Sequence, residues 1–379
     1  MSAKTIYFVA GESSGDNHGA ALMRSLRRLD SEVRFVGRGG PQMQAAAGGS
    51  VRDWIDRAAV VGLWEVVKNY GYFREQFRQT LQEIDNVKPD AVVLIDYPGF
   101  NLRLSRQLAR RTSRPRLLYY ISPQVWAWNR GRIKHMARWL DLMLCIFPFE
   151  EELYNQSGLR TVFVGHPMHE RLEAQRLQVA RDRNLVALLP GSRRREIKKN
   201  LPVMLEACGL LRQRFPSLRF EIAAASKDLA AEIQAHTDPI GDVIRVTEDR
   251  AAAAMQEAWV GIVASGSATL EAAWFGLPFV LVYKVSWLTY VAGRMVIKVD
   301  YLGMPNVIAG RAVIPEFIQN EATPTAIAGE VARLLKDEAA RREMMVAFNS
   351  IVEALGEGGA SDRAAAVIAQ ELGLSGAGQ

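Results

Sequence analysis

Two Rossmann-like α/β domains are expected on three grounds: the chain's length, a repeated succession of apolar strand and helix, and polar, glycine-bearing turns set directly after strands. At 379 residues the chain exceeds the size at which one core usually divides. Residues 5–10 form a β-branched and aromatic run ending at Gly11, and residues 16–29 carry apolar side chains at helical spacing. Residues 33–37, 91–96 (AVVLID) and 117–121 repeat the strand signal, and a second series follows at 185–189, 219–223, 261–264 and 279–283. Nearly continuous apolar strands alternating with helices belong to parallel sheets covered on both faces. The boundary is placed near Met168, where TVFVGHP gives way to the polar HERLEAQRLQVARDR. Domains are therefore expected at 1–168 and 169–345, with a helical segment, 346–379, returning to the first.

Composition narrows the class. An apolar share of 49% supplies a sizeable core, and a charged share of 23% is that of a globular rather than a disordered chain. Cys145 and Cys208 stand alone, so neither a disulfide framework nor a zinc site is suggested and a reducing cytoplasm fits. The run 6–10 is too short for a secretory core and is followed at once by Glu12 and Asp16, and no apolar stretch is long enough to span a bilayer. The net charge of +6 suits nucleic acid, anionic lipid or phosphorylated ligands without choosing among them.

The turns after the strands lie where open α/β sheets bind ligands. Gly11-Glu12-Ser13-Ser14-Gly15-Asp16 can receive an anion or polar ligand on its amides and helix dipole. It is neither G-x-G-x-x-G nor a P-loop, which removes the main support for a dinucleotide or ATP; the same residues also suit a tight turn capped by Asp16. Asp96 ends the AVVLID strand and leads into Tyr97-Pro98-Gly99-Phe100-Asn101. A partly desolvated carboxylate there suits general-base work, and equally a loop-holding role. In Ser122-Pro123-Gln124-Val125-Trp126-Ala127-Trp128-Asn129, Pro123, Trp126 and Trp128 can wall a sugar or acyl group. Core packing is the alternative, and stacking with the following arginines would suit single-stranded nucleic acid.

In the second half, Gly191, Ser192 and Arg193 of LLPGSR can meet a diphosphate through turn amides and a charge-assisted guanidinium. Ser265, Gly266 and Thr269 of SGSATLE let a ligand approach the backbone, and Glu271 can accept both hydroxyls of a ribose or serve as a plain surface glutamate. Asn306 and Arg311 of MPNVIAGR are expected to reach toward an interdomain cleft. With no D-x-D pair in the chain, no metal is required, and a leaving diphosphate would be met by arginine and helix N-termini. Residues 60–81 carry one apolar helical stripe. A buried helix explains it, as does insertion into a membrane interface through Leu63, Trp64, Val67 and Phe73.

GESSGD, IDYPGFN, SPQVWAW, VGHP, LLPGSR, SGSATLE and MPNVIAGR, in that order over most of the chain, resemble the lipid-A-disaccharide synthase family, glycosyltransferases of GT-B architecture. SPQVWAW is the most specific of them. The resemblance implies an N-terminal acceptor and membrane-side domain, a C-terminal UDP-sugar donor domain and a cleft between them. It implies a UDP-2,3-diacylglucosamine donor, a 2,3-diacylglucosamine 1-phosphate acceptor, and a β-1,6-linked disaccharide formed with inversion. Within it, Asp96 matches the base and Arg193 the diphosphate arginine, while Ser265, Glu271 and Asn306 lie in donor-site motifs. Glu12, Ser13, Ser14, Asp16, Pro123, Trp126, Trp128 and Arg311 fall to the acceptor side or cleft. Also implied are the cytoplasmic surface of the inner membrane, no nucleic-acid partner, no cofactor, and a homodimer as an allowed state. Some relatives carry a second acid where this chain has Gly99, which leaves Asp96 the only carboxylate of its loop. A nucleotide-sugar epimerase, a cell-wall glycosyltransferase and a non-catalytic nucleotide-binding module are the competing readings.

Overall fold

The computed structural model describes residues 3–55, 70–237, 243–285 and 299–374. It divides into two compact units, one of Met1–Pro167 with Leu355–Gln379, the other of Met168–Ala354. The helix Glu338–Ala354 runs unbroken through residue 345, so the second unit extends further than the expected 345. Beyond it, the helix Ala360–Leu372 packs against Ser13–Leu29 in the first unit.

The first unit holds β1 (Thr5–Ala10), β2 (Arg34–Gly39), β3 (Val51–Asp53), β4 (Ala91–Ile95), β5 (Arg116–Tyr120), β6 (Leu142–Cys145) and β7 (Thr161–Phe163). They pair in parallel in the order β3-β2-β1-β4-β5-β6-β7. The second holds β8 (Asp182–Leu189), β9 (Arg219–Ala224), β10 (Ile244–Glu248), β11 (Ala258–Ala264), β12 (Phe279–Tyr283) and β13 (Glu316–Ile318), parallel in the order β10-β9-β8-β11-β12-β13. In each sheet the strand order reverses beside the first strand, between β1 and β4 and between β8 and β11. Connections leave these strands to opposite faces, so a crevice opens at their carboxyl ends. Helices on both faces explain why β4 and the ends of β1 and β11 are apolar without alternation and fully buried. Cys145 and Cys208 are free and buried.

One buried cation knits the first unit's β1, β2 and the helix Tyr70–Val87. Arg38, on β2, is 0% exposed. Its Nε donates to Glu83 Oε2 at 3.0 Å and its Nη1 to Gln76, while Tyr7 Oη donates to the same Glu83 oxygen at 2.5 Å. Burial, then the Glu83 charge, pushes the Tyr7 phenol far above its ordinary range.

The helix Tyr70–Val87 carries the described end of the apolar stripe. Phe77 meets Phe100 edge-on at 5.5 Å and Ile84 is buried, so this end turns inward. Phe73 is half-buried beside Tyr72, whereas Leu63, Trp64 and Val67 lie outside the described residues. Among the described residues, no helix is long and apolar enough to cross a membrane. Arg38→Ala should destabilise the fold by about 3 kcal/mol, because Glu83 and Gln76 lose the group they were placed to meet; urea denaturation measures it.

Candidate active site

The switch point of the first sheet brings together the turns after β1 and β4. Asp96 and Tyr97 both adopt left-handed backbone (φ 43° and 49°), and the helix Pro98–Leu108 starts at once, where an open loop was expected. Two such residues in succession cost roughly 1–3 kcal/mol each. The turn is held from several sides. The Asp96 N–H donates to the Tyr120 carbonyl at 3.0 Å. The Asp96 carbonyl accepts from Tyr119 Oη at 2.5 Å and from Asn101 Nδ2 at 2.8 Å, and both of those residues are 0% exposed. Tyr97 lies against Gly11 so closely that a Cβ there would come within 2.3 Å of its ring. Trp54 backs it edge-on at 6.1 Å and donates Nε1 to the Ala10 carbonyl at 2.6 Å.

Asp96 is thereby partly enclosed. Burial first, then the negative charge of Glu12, raises its pKa to about 6. Glu12, Ser13 and Ser14 are exposed at the start of the helix Ser13–Leu29. Asp16 differs from expectation. Its carboxylate is buried and accepts the N–H groups of Gly40 (2.8 Å), Gln42 (2.9 Å) and Met43 (2.9 Å), so it caps the helix Pro41–Ala46 and is consumed by backbone.

The Ser122–Asn129 turn is also more internal than an exposed wall. Pro123 is buried and its carbonyl accepts Tyr154 Oη at 2.7 Å. Trp126 is 5% exposed and donates Nε1 to Glu150 Oε1 at 2.8 Å. Of the two tryptophans only Trp128 is half-open, with the Arg132 guanidinium 4.7 Å from its ring. Glu150 was not foreseen. It is 0% exposed, and burial lifts its pKa to about 7 against hydrogen bonds that favour the charged form.

The switch point of the second sheet joins the turns after β8 and β11. Gly191 (φ 123°) lets the chain turn ahead of the helix Arg194–Arg214. Ser192 and Arg193 are exposed, and Glu196 closes on them: its Oε2 accepts the Ser192 N–H at 3.2 Å and its Oε1 accepts Arg193 Nη1 at 3.1 Å. The loop thus already accommodates two anionic oxygens. Asn200, unforeseen, pins it by donating to the Pro190 carbonyl and accepting the Lys284 N–H. Across the crevice, Ser265 is half-buried and Gly266 exposed at φ 144°, while Thr269 is buried with its hydroxyl on the Gly266 carbonyl at 2.8 Å. Glu271 is largely covered and accepts Arg171 Nη2 at 3.0 Å.

The two expected ligand residues of MPNVIAGR stand differently, and the helix of Asn306, Met304–Ala309, packs against the helix Ser267–Trp274 that carries Thr269 and Glu271. Asn306 is buried, donating to the Ile314 carbonyl and Glu316 while accepting the N–H groups of Val313 and Ile314; all its bonds serve the approach to β13. Arg311 precedes β13 and lines a cavity of about 280 Å³ with Arg333, Glu343 and Met344, at the amino end of that strand and not at the carboxyl edge.

Solved structures share this two-unit fold. MnaA of S. aureus with UDP superposes with a TM-score of 0.63 at 14% identity, over 98% of this chain and 97% of that one. A ugt transferase of Siraitia grosvenorii in complex with UDP gives 0.59 at 13%, over 97% and 99%. The architecture is that of the GT-B glycosyltransferases and related epimerases. The family model described as lipid-A-disaccharide synthetase matches residues 6–371. Lipid-A-disaccharide synthases of Geobacter sulfurreducens and Myxococcus xanthus are 42% and 37% identical, each over 97% of both chains. The chain therefore belongs to the lipid-A-disaccharide synthase family, whose members are glycosyltransferases.

Asp16→Asn, which keeps one acceptor oxygen and turns the other into a donor facing N–H groups, should destabilise the first unit by about 2 kcal/mol. Urea denaturation reads this.

Proposed function

We propose that this enzyme transfers a 2,3-diacylglucosaminyl group from its UDP derivative to the primary hydroxyl of 2,3-diacylglucosamine 1-phosphate, giving a β-1,6-linked disaccharide and UDP with inversion. The observation that carries this reading is Asp96: a half-enclosed carboxylate at the carboxyl edge of β4, beside the sheet's switch point, in a chain of this family.

Asp96 takes the hydroxyl proton as the acceptor oxygen forms its bond to the donor anomeric carbon. The bond from that carbon to the diphosphate oxygen breaks on the opposite face, and UDP leaves with the electron pair. A base whose pKa lies near 6 is ionised at neutral pH yet remains stronger than an ordinary aspartate. The charge that develops on UDP is met by Arg193 and the turn amides after β8, the groups that Glu196 now engages. Ser265, Gly266 and Glu271 belong to the donor side, and Glu12, Ser13, Ser14 and Trp128 to the acceptor side.

Purified protein given both substrates should form the disaccharide, detected by mass spectrometry; UDP-N-acetylglucosamine serves as control, and an epimerised control with no disaccharide would defeat the proposal. Asp96→Asn should lower kcat by at least about 100-fold while still binding UDP. In the wild type, kcat/KM should fall as pH drops through about 6, where Asp96 gains its proton. Glu12→Gln should move that limb to lower pH, since it removes a charge that raises the Asp96 pKa.

We further propose that the protein meets its lipid substrates at the cytoplasmic surface of the inner membrane, through the 60–81 stripe and the basic excess. It should float with anionic vesicles at low salt, and Trp64→Ser with Phe73→Ser should abolish this; flotation unaffected by the double variant excludes the stripe.

A further inference from the structure

The turn after β5 is tied down by a side chain to which the chemistry above gives no part. Glu150, in the helix Pro148–Asn155, accepts Ser122 Oγ at 2.5 Å and the Phe147 N–H at 3.3 Å on Oε2, and Trp126 Nε1 at 2.8 Å on Oε1. Tyr154, one turn later, holds the Pro123 carbonyl. Phe149 closes the ring from the same helix, edge-on to Trp126 at 4.9 Å. A fully buried carboxylate carries a desolvation cost that a neutral side chain would avoid, so its three donors are the reason it can be kept there.

What this cluster restrains lies next to the base. Tyr120, the last residue of β5, pairs with Ile95, and its carbonyl receives the Asp96 N–H. Between Tyr120 and Ser122 stands Ile121 at φ 64°, a conformation that a β-branched residue adopts only when its surroundings compel it. The Ser122–Trp128 segment therefore leaves the sheet beside Asp96 through a strained turn, and the Glu150 carboxylate grips it at both ends of its first five residues.

We propose that Glu150 is a positioning residue for the acceptor: it locks the Ser122–Trp128 segment in the shape that receives the acceptor sugar next to Asp96. The inference rests on the reading of Asp96 as the base. Donor binding, which belongs to the other sheet, does not depend on it.

The test uses the full chain with Glu150→Gln, Ser122→Ala and Trp126→Phe, varying donor and acceptor separately and measuring UDP affinity by calorimetry. Glu150→Gln should raise the acceptor KM about tenfold, the loss expected for one charge-assisted hydrogen bond. Donor KM and UDP affinity should stay within about twofold. Ser122→Ala and Trp126→Phe should each raise the acceptor KM by less, and the two effects should not both persist in the Glu150→Gln background, because glutamine keeps only one of the two acceptor oxygens that Ser122 and Trp126 use. An unchanged acceptor KM in Glu150→Gln overturns the proposal, as does a parallel loss of UDP affinity and donor KM, which would make Glu150 a general support of the fold. If Glu150→Gln does not fold, the two outer variants decide: no acceptor effect in either overturns it. A wild-type chain that binds UDP and forms no disaccharide would instead defeat the functional reading, and this inference with it.

Discussion

The left-handed pair Asp96-Tyr97 is the constraint around which the first unit's carboxyl edge is built. Neither residue is glycine, so the turn does not hold itself, and each neighbour removes one way for it to relax. The Tyr120 carbonyl fixes the amide of Asp96, Tyr119 and Asn101 fix its carbonyl, and Gly11 leaves room for the ring of Tyr97. The helix can then begin at Pro98, where a missing N–H is no loss. Relaxing the turn to ordinary strand geometry would redirect the carboxylate and empty the space over Gly11.

That geometry also sets the chemistry. A carboxylate at the end of a buried strand loses hydration, which raises its pKa; Glu12, from the adjacent turn, adds a like charge. Both effects make Asp96 a better proton acceptor and both oppose folding, so the stability has to come from elsewhere in the unit. Arg38 with Glu83 and Tyr7, and Asp16 with three amides, are arrangements of this kind. Asp16 also donates its own N–H to the Glu12 carbonyl at 2.9 Å and so anchors the turn after β1.

The central strands were legible from sequence because burial on both faces leaves an unbroken apolar run, as in AVVLID. β3, β10 and β13 were not, being edge strands with mixed burial, and β6 is only four residues long. The motifs placed the turns correctly at the strand ends, since glycine and small hydroxyl residues have few other uses there. What spacing does not carry is direction. Asp16, Trp126 and Asn306 stand in motifs beside exposed residues, yet each points inward, and only packing reveals it. Glu150 and Asn200 lie outside every motif, Asn200 two turns into the helix that LLPGSR opens, and their signal is a polar residue among buried helical positions.

A polar motif at a sheet edge thus has two jobs, which burial divides among its residues. Members with every hydrogen bond made inside the protein keep the turn in shape, and members left open have groups to offer. Around Gly11 the split falls between Asp16 and the exposed Glu12, Ser13 and Ser14; around Gly191 it falls between Asn200 and the exposed Ser192 and Arg193. The open members of the Gly191 turn are not idle, since Glu196 supplies an internal carboxylate to them. In the reading proposed above, an incoming diphosphate displaces that carboxylate and so exchanges one anionic partner for another instead of ordering a bare loop. The free energy of binding is then reduced by the bonds lost, and the entropy of arranging the turn has already been met in folding.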